Sequence, residues 1–91
     1  MIQQPYATER IVCDGGSSAD LTYLLLRQNS RYGVRIVLRR NGRSEDASAY
    51  GLTASHATAL GLLELLRRNT VTPCALDDVL SELQEEIAKK R

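Results

Sequence analysis

The four residues Arg40-Asn41-Gly42-Arg43 constrain this chain more than any others. Asn-Gly between two extended runs is the favoured pair for a two-residue type I′ hairpin, because both central residues must take positive φ. A two-residue loop fixes the pairing: Arg40 faces Arg43, Leu38 faces Glu45, Ile36 faces Ala47 and Val34 faces Ala49. Upstream, Asn29-Ser30 predicts a second turn of the same length, with Ser30 its weaker half because serine resists positive φ. Gln28 then faces Arg31, Leu25 faces Val34, Tyr23 faces Ile36 and Leu21 faces Leu38. The two registers are independent, and they agree. Leu21, Tyr23, Leu25, Val34, Ile36, Leu38, Ala47 and Ala49 fall on one face, whereas a one-residue slip would scatter them over both.

A three-stranded meander over 21–28, 31–40 and 43–50 is therefore expected, with a fourth strand through Arg10-Ile11-Val12-Cys13. The Gly/Ser-rich stretch 14–20 between them reads as a flexible turn; it has neither the GxGxxG nor the Walker spacing of a phosphate cradle. Beyond the sheet, Thr53 can cap a helix, with Leu52 and Ala57 as its hydrophobic staple. Leu60, Leu63 and Leu66, with Ala59 and Leu62 beside them, form its apolar stripe. Arg67 and Arg68 suit its C-terminal dipole and Asn69 ends it. Pro73 forces an extended link, and a second helix follows with apolar positions 76, 79, 80, 83 and 87. The expected fold is α+β: an antiparallel three- or four-stranded β-meander, then two α-helices packed on one face (ββββαα), a two-layer sandwich. Residues 1–91 are expected as a single domain, with 1–8 a flexible lead and 88–91 a frayed charged tail.

Composition narrows the function classes. Apolar residues make up 43% and charged residues 25%, which is globular rather than disordered. No apolar run approaches the roughly 18–20 residues that cross a bilayer, and MIQQPYATER lacks the pattern of a secretory signal, so a cytoplasmic location is expected. Cys13 and Cys74 lie far apart in apolar contexts and are expected as buried thiols. His56, the single histidine, falls in the first turn of a helix as a solvated residue, and Asp77 and Asp78 are adjacent, so on a helix they diverge. No catalytic set, metal-ligand cluster, cofactor motif or small-molecule substrate is expected. The chain reads as a binding or regulatory module, not an enzyme.

The other sheet face carries Thr22, Leu24, Leu26, Val37, Tyr50, Arg35, Arg39, Ser44, Asp46 and Ser48. A solvated face should be mostly polar. Leu24, Leu26, Val37 and Tyr50 with Arg35 and Arg39 instead have the composition of an interface core, so a protein partner is expected, a second copy among the candidates. Two structural alternatives stand beside it: Tyr50 covers the bare Gly33, and residues 1–9 or a helix end cover the leucines.

Charge is uneven although the net is +1: Arg27 to Arg43 holds six arginines and no acid, and Asp77 to Glu86 five acids and no base. Asp46 lies diagonally near both Arg35 and Arg39 and is expected to neutralise them in part. Arg31, Arg40 and Arg43 at the hairpin ends are the candidate nucleic-acid contacts of an alternative reading, a nucleic-acid-associated regulator. A solvated rim explains them as well, and the single outward aromatic, Tyr50, is meagre for base stacking. A further alternative is a phage or mobile-element inhibitor of a larger nucleic-acid enzyme (an anti-CRISPR-like protein), using the acids from Asp77 to Glu86 as a phosphate mimic.

Tyr32-Gly33-Val34, Thr53, Val71-Thr72-Pro73, Leu76, Asp78-Val79 and Leu83 together resemble a family of small Firmicutes proteins, domain of unknown function 6514, over about residues 9 to 84. The resemblance rests chiefly on VTPCALDDV. It departs at Cys74-Ala75, where a bulkier pair is usual, and in a longer charged tail. It implies the fold and a bacterial origin, and it implies no activity or site.

Overall fold

The computed structural model of the chain describes residues 2–12 and 14–89, in backbone only for 14 and 84–89. Strands β1 (Ile2–Val12), β2 (Ser18–Gln28), β3 (Arg31–Arg40) and β4 (Arg43–Thr53) form one antiparallel sheet in the order β1-β2-β3-β4. Helices α1 (His56–Arg68) and α2 (Leu76–Lys89) follow, completing the α+β architecture. Both two-residue turns form. Asn29 and Ser30 take φ of 52° and 64°, Asn41 and Gly42 take 51° and 75°, and the pairing is the one those turns dictate. Leu21, Tyr23, Val34 and Ile36 are fully buried on the inner face, against Leu63 and Leu66 of α1 and Leu76 of α2. Each such side chain contributes about 1.5–3 kcal/mol by leaving water. Tyr23 brings a hydroxyl into this core and satisfies it by donating to the Val71 carbonyl at 3.1 Å.

Four local departures from the expected layout have physical causes. The first concerns β1, which begins at Ile2 rather than near Arg10, so residues 2–8 are an edge strand and not a flexible lead. Its apolar alternation is hidden by a bulge between Pro5 and Ala7, which turns Tyr6 toward α1. β2 correspondingly starts at Ser18, and the expected loop shrinks to a turn at Asp14–Gly16 with Gly15 and Gly16 at φ of 83° and 82°.

In β4, three residues, 50–52, lie opposite the single Gly33, because Val34 pairs with Ala49 and Tyr32 with Thr53. The Ala49 carbonyl is folded onto Gly33, where a Cβ would lie 2.1 Å from its oxygen. Backbone, not the Tyr50 ring, covers that glycine. The bulge returns Thr53 to the sheet, so the cap of α1 moves to Ser55, whose hydroxyl accepts from the Thr58 amide at 3.2 Å. Thr53 supports it by accepting from the Ser55 amide.

At the other end of α1, Asn69 keeps negative φ and Thr70 takes the left-handed conformation, φ 50°. The Thr70 amide donates to the Arg67 carbonyl and the Val71 amide to the Leu66 carbonyl, a Schellman closure with threonine where glycine is usual. Finally, Cys74 is exposed. The 3-10 turn Pro73–Ala75 directs Pro73 and then Leu76 inward and leaves the thiol outside. Cys13, expected as a buried thiol, lies outside the described residues, as do residues 90 and 91 of the expected frayed tail.

Each sheet edge carries features that resist further pairing. β1 has Pro5 and its bulge, and β4 has exposed Glu45 and Asp46 and its own bulge at Gly51, φ 61°.

Candidate functional site

Strand parity sends Gln3, Pro5, Thr8 and Arg10 of β1 to the outer face, with Asp20, Thr22, Leu24 and Leu26 of β2, Arg35, Val37 and Arg39 of β3, and Ser44, Asp46 and Ser48 of β4. Leu26 lies on this face yet is only 1% exposed, while Leu24 and Val37 are half-buried. A polar strap runs diagonally across them. Arg35 donates to Gln3 Oε1 of β1 at 2.8 Å and to Asp46 of β4 at 3.2 Å, tying three strands together over the leucines. The start of the chain thus roofs part of the patch, one of the two structural alternatives raised by the sequence. Tyr50 belongs to the β4 bulge and is 54% exposed.

Asp46 commits to Arg35, with a second approach of 3.0 Å, and Arg39 is exposed. The expectation that Asp46 would serve both arginines fails because Arg35 is held from its other side by Gln3. Arg10 pairs with Asp20 at 3.2 Å, and Thr8 and Thr22 share a hydrogen bond. The charges of this face are therefore largely neutralised within it. Arg39, Arg40 and Arg43 are exposed, and among the described residues none has an ion-pair partner. Arg31 does not join them. It lies at the opposite turn and donates to the Gly51 carbonyl at 3.0 Å, fastening the β4 bulge.

A second cluster, unforeseen from the sequence, ties β1 to α1. Tyr6 donates to Glu64 at 2.5 Å, and Arg67 grips Glu64 through two nitrogens and reaches Glu9 at 2.9 Å. The Arg67 guanidinium, helped by the Tyr6 hydroxyl, holds the Glu64 carboxyl down at about 2. The same contacts push Arg67 up, and the hydrogen bond to Glu64 pushes the Tyr6 hydroxyl up. Glu64 and Arg67 are visible in the sequence as a helical i, i+3 pair, but Tyr6 and Glu9 reach them only through the β1 bulge and pairing. The cluster leaves no free base: every acid in it is spent on a cation or a hydroxyl.

His56 opens α1 with its ring against Tyr32, centroids 5.2 Å apart. Among the described residues no group of three or more His, Cys, Asp or Glu side chains could hold a metal ion. No helix among them is long and apolar enough to cross a membrane. Asp77, Asp78 and Glu82 are exposed on α2.

A model of a family of unknown function, DUF6514, matches residues 3–86. Neither the curated proteins nor the solved structures contain a match.

Proposed function

The chain belongs to the family of unknown function DUF6514, which brings no activity with it, and we propose on its geometry that it is a non-catalytic binding module acting through protein contacts. The carrying observation is that both helices pack on the inner face, leaving the outer face without a layer of its own. Its ion pairs Arg10–Asp20 and Arg35–Asp46 cancel within it, and Pro5, Leu24 and Val37 interrupt its hydroxyls.

The occupant that such a surface fits is a second copy of the chain, stacked sheet to sheet. With Arg10–Asp20 and Arg35–Asp46 paired within it, the face carries Arg39 as its one cation without an ion-pair partner among the described residues, and so repels its own image only weakly. Its strands span roughly 36 by 19 Å, about 700 Å², close to the ~800 Å² per partner of a standard interface. Two sheets stacked about 10 Å apart make an ordinary sandwich interior. The exposed, unpaired thiol of Cys74 suits a reducing compartment, in keeping with a cytoplasmic role.

Light scattering tests this directly. The wild-type chain is expected at dimer mass, and Leu24→Asp and Ser48→Arg at monomer mass with unchanged circular dichroism. Ser48→Arg leaves the leucines untouched, so a folding defect at Leu24 does not obscure the result. A monomeric wild type, or dimers in both variants, would overturn the proposal.

A further inference from the structure

The inner face takes no part in that stacking, and α1 crosses it on a diagonal. His56, the first residue of the helix, lies over Tyr32 of β3, and Arg67 near its end reaches Glu9 of β1. The corner of the sheet where β1 begins lies to one side of that diagonal. A small cavity of about 100 Å³ opens there, lined by Ile2, Gln4, Leu25, Arg27, Tyr32 and His56. The register accounts for its walls. Ile2 pairs with Arg27 and Arg27 with Tyr32, one row across three strands, and Gln4 pairs with Leu25 in the next row of the same face.

The polar groups of this corner are uncommitted. Among the described residues, the side chains of Gln4, Arg27, Tyr32 and His56 make no hydrogen bond or ion pair. Arg10, Arg35 and Arg67, by contrast, each hold an acid. No acid lines the cavity, so Arg27 gives it a net positive charge. Its floor is apolar: Leu25 is buried, and Ile2 stands exposed at the rim. A ligand that satisfies such a set has an anionic head and an apolar body.

We infer that the cavity binds a small aliphatic carboxylate. The Arg27 guanidinium receives the carboxylate through parallel N–H donors, a fork that matches its two oxygens. The Tyr32 hydroxyl and the Gln4 amide supply donors for the remaining lone pairs, and the hydrocarbon tail rests on Leu25 and Ile2. Size limits that tail. The cavity holds roughly the liquid share of three waters, which leaves room for only a few carbons beside the head. Inorganic phosphate fits the charge but would cover the apolar floor without gaining from it. The tilted Tyr32–His56 pair, ring centroids 5.2 Å apart, walls the cavity on the α1 side, so the His56 ring reports its occupancy.

Proton NMR of the His56 ring during titration with butyrate tests this. The resonance is expected to move and saturate with a Kd on the order of 1 mM. Arg27→Gln removes the charge at an exposed position and should weaken binding at least about tenfold with circular dichroism unchanged. Arg68→Gln, at the far end of α1, should change it by less than about twofold, its charge being screened over that distance. Butyramide, with the same tail and no charge, and inorganic phosphate, with charge and no tail, should each bind the wild type roughly tenfold more weakly than butyrate. The inference is overturned by absence of a saturating shift up to about ten times that Kd, or by equal behaviour of the two arginine variants. Butyramide matching butyrate would overturn it on the wild-type protein alone, by showing that the charge is not read. Phosphate matching butyrate would overturn it too, by marking the corner as a general anion site.

Discussion

Thr70 occupies a backbone conformation that its side chain opposes. At φ 50° a β-branched residue crowds the neighbouring carbonyl, at a cost of about 1–2 kcal/mol relative to a right-handed residue. It is held there by the two hydrogen bonds that close α1 and by Val71, which is buried and whose carbonyl receives the Tyr23 hydroxyl. Thr70→Gly is therefore expected to stabilise the protein by about 1 kcal/mol, part of the relief being offset by the greater freedom of glycine when unfolded. Urea unfolding should show a higher midpoint with an unchanged slope; a lower midpoint would contradict the strain. Gly33 teaches the complementary lesson. A bare strand position was legible there, with the Tyr50 ring as its expected cover. That its neighbour is the Ala49 carbonyl depends on three residues of β4 being squeezed opposite one of β3, which no local pattern announces.

Among the elements, β1 is the one the sequence under-described, and the reason is physical. Strands joined by two-residue turns inherit their register from the turn, so β2, β3 and the paired run of β4 could be read from Asn29-Ser30 and Asn41-Gly42. β1 has a longer connection, a proline and a bulge, and its position is held by side chains from elsewhere: Glu64 and Arg67 of α1, and Arg35 of β3. That tether depends on pH in a definite direction. The folded-state pKa of Glu64 is lowered from 4.5 to about 2, so its contribution is fully present above the unfolded value and is lost as pH falls through about 2. The melting-temperature difference between wild type and Glu64→Gln should stay constant from neutral pH down to about 5. It should then shrink and vanish near 2. A difference that persisted at the acid end would mean that the carboxylate is not what holds β1.

On the scale of the whole molecule, the two layers are unequal, and β2 and β3 lie at the centre of the sheet. β2 is buried on the inner face by the helices and at Leu26 on the outer face as well, and β3 carries Val34 and Ile36 into the core. Hydrogen exchange followed by mass spectrometry should find the slowest amides in 21–26 and 34–37. The bulge 50–52 and residues 2–5 should exchange far faster. Equal protection across the sheet would refute this ranking. The candidate surface was legible in its membership, because parity assigns Leu24, Leu26, Val37, Arg35 and Arg39 to one face as soon as the register is known. Its electrostatics were not. Asp46 had two arginines within diagonal reach, and the choice was made by Gln3, a residue on a strand whose pairing could not be foreseen.

The treatment of the sheet edges has a consequence for crowded conditions. Pro5 and the bulge of β1 interrupt one border, and Glu45, Asp46 and the Gly51 bulge break up the other, so the sheet resists growing sideways by adding strands from other chains. An assembly built through the sheet then has the open face to use, and the proposed stacking of two copies uses it up. Association of that kind terminates at a pair, and the ribbon-like polymer that an unguarded four-stranded sheet would seed has no border from which to propagate.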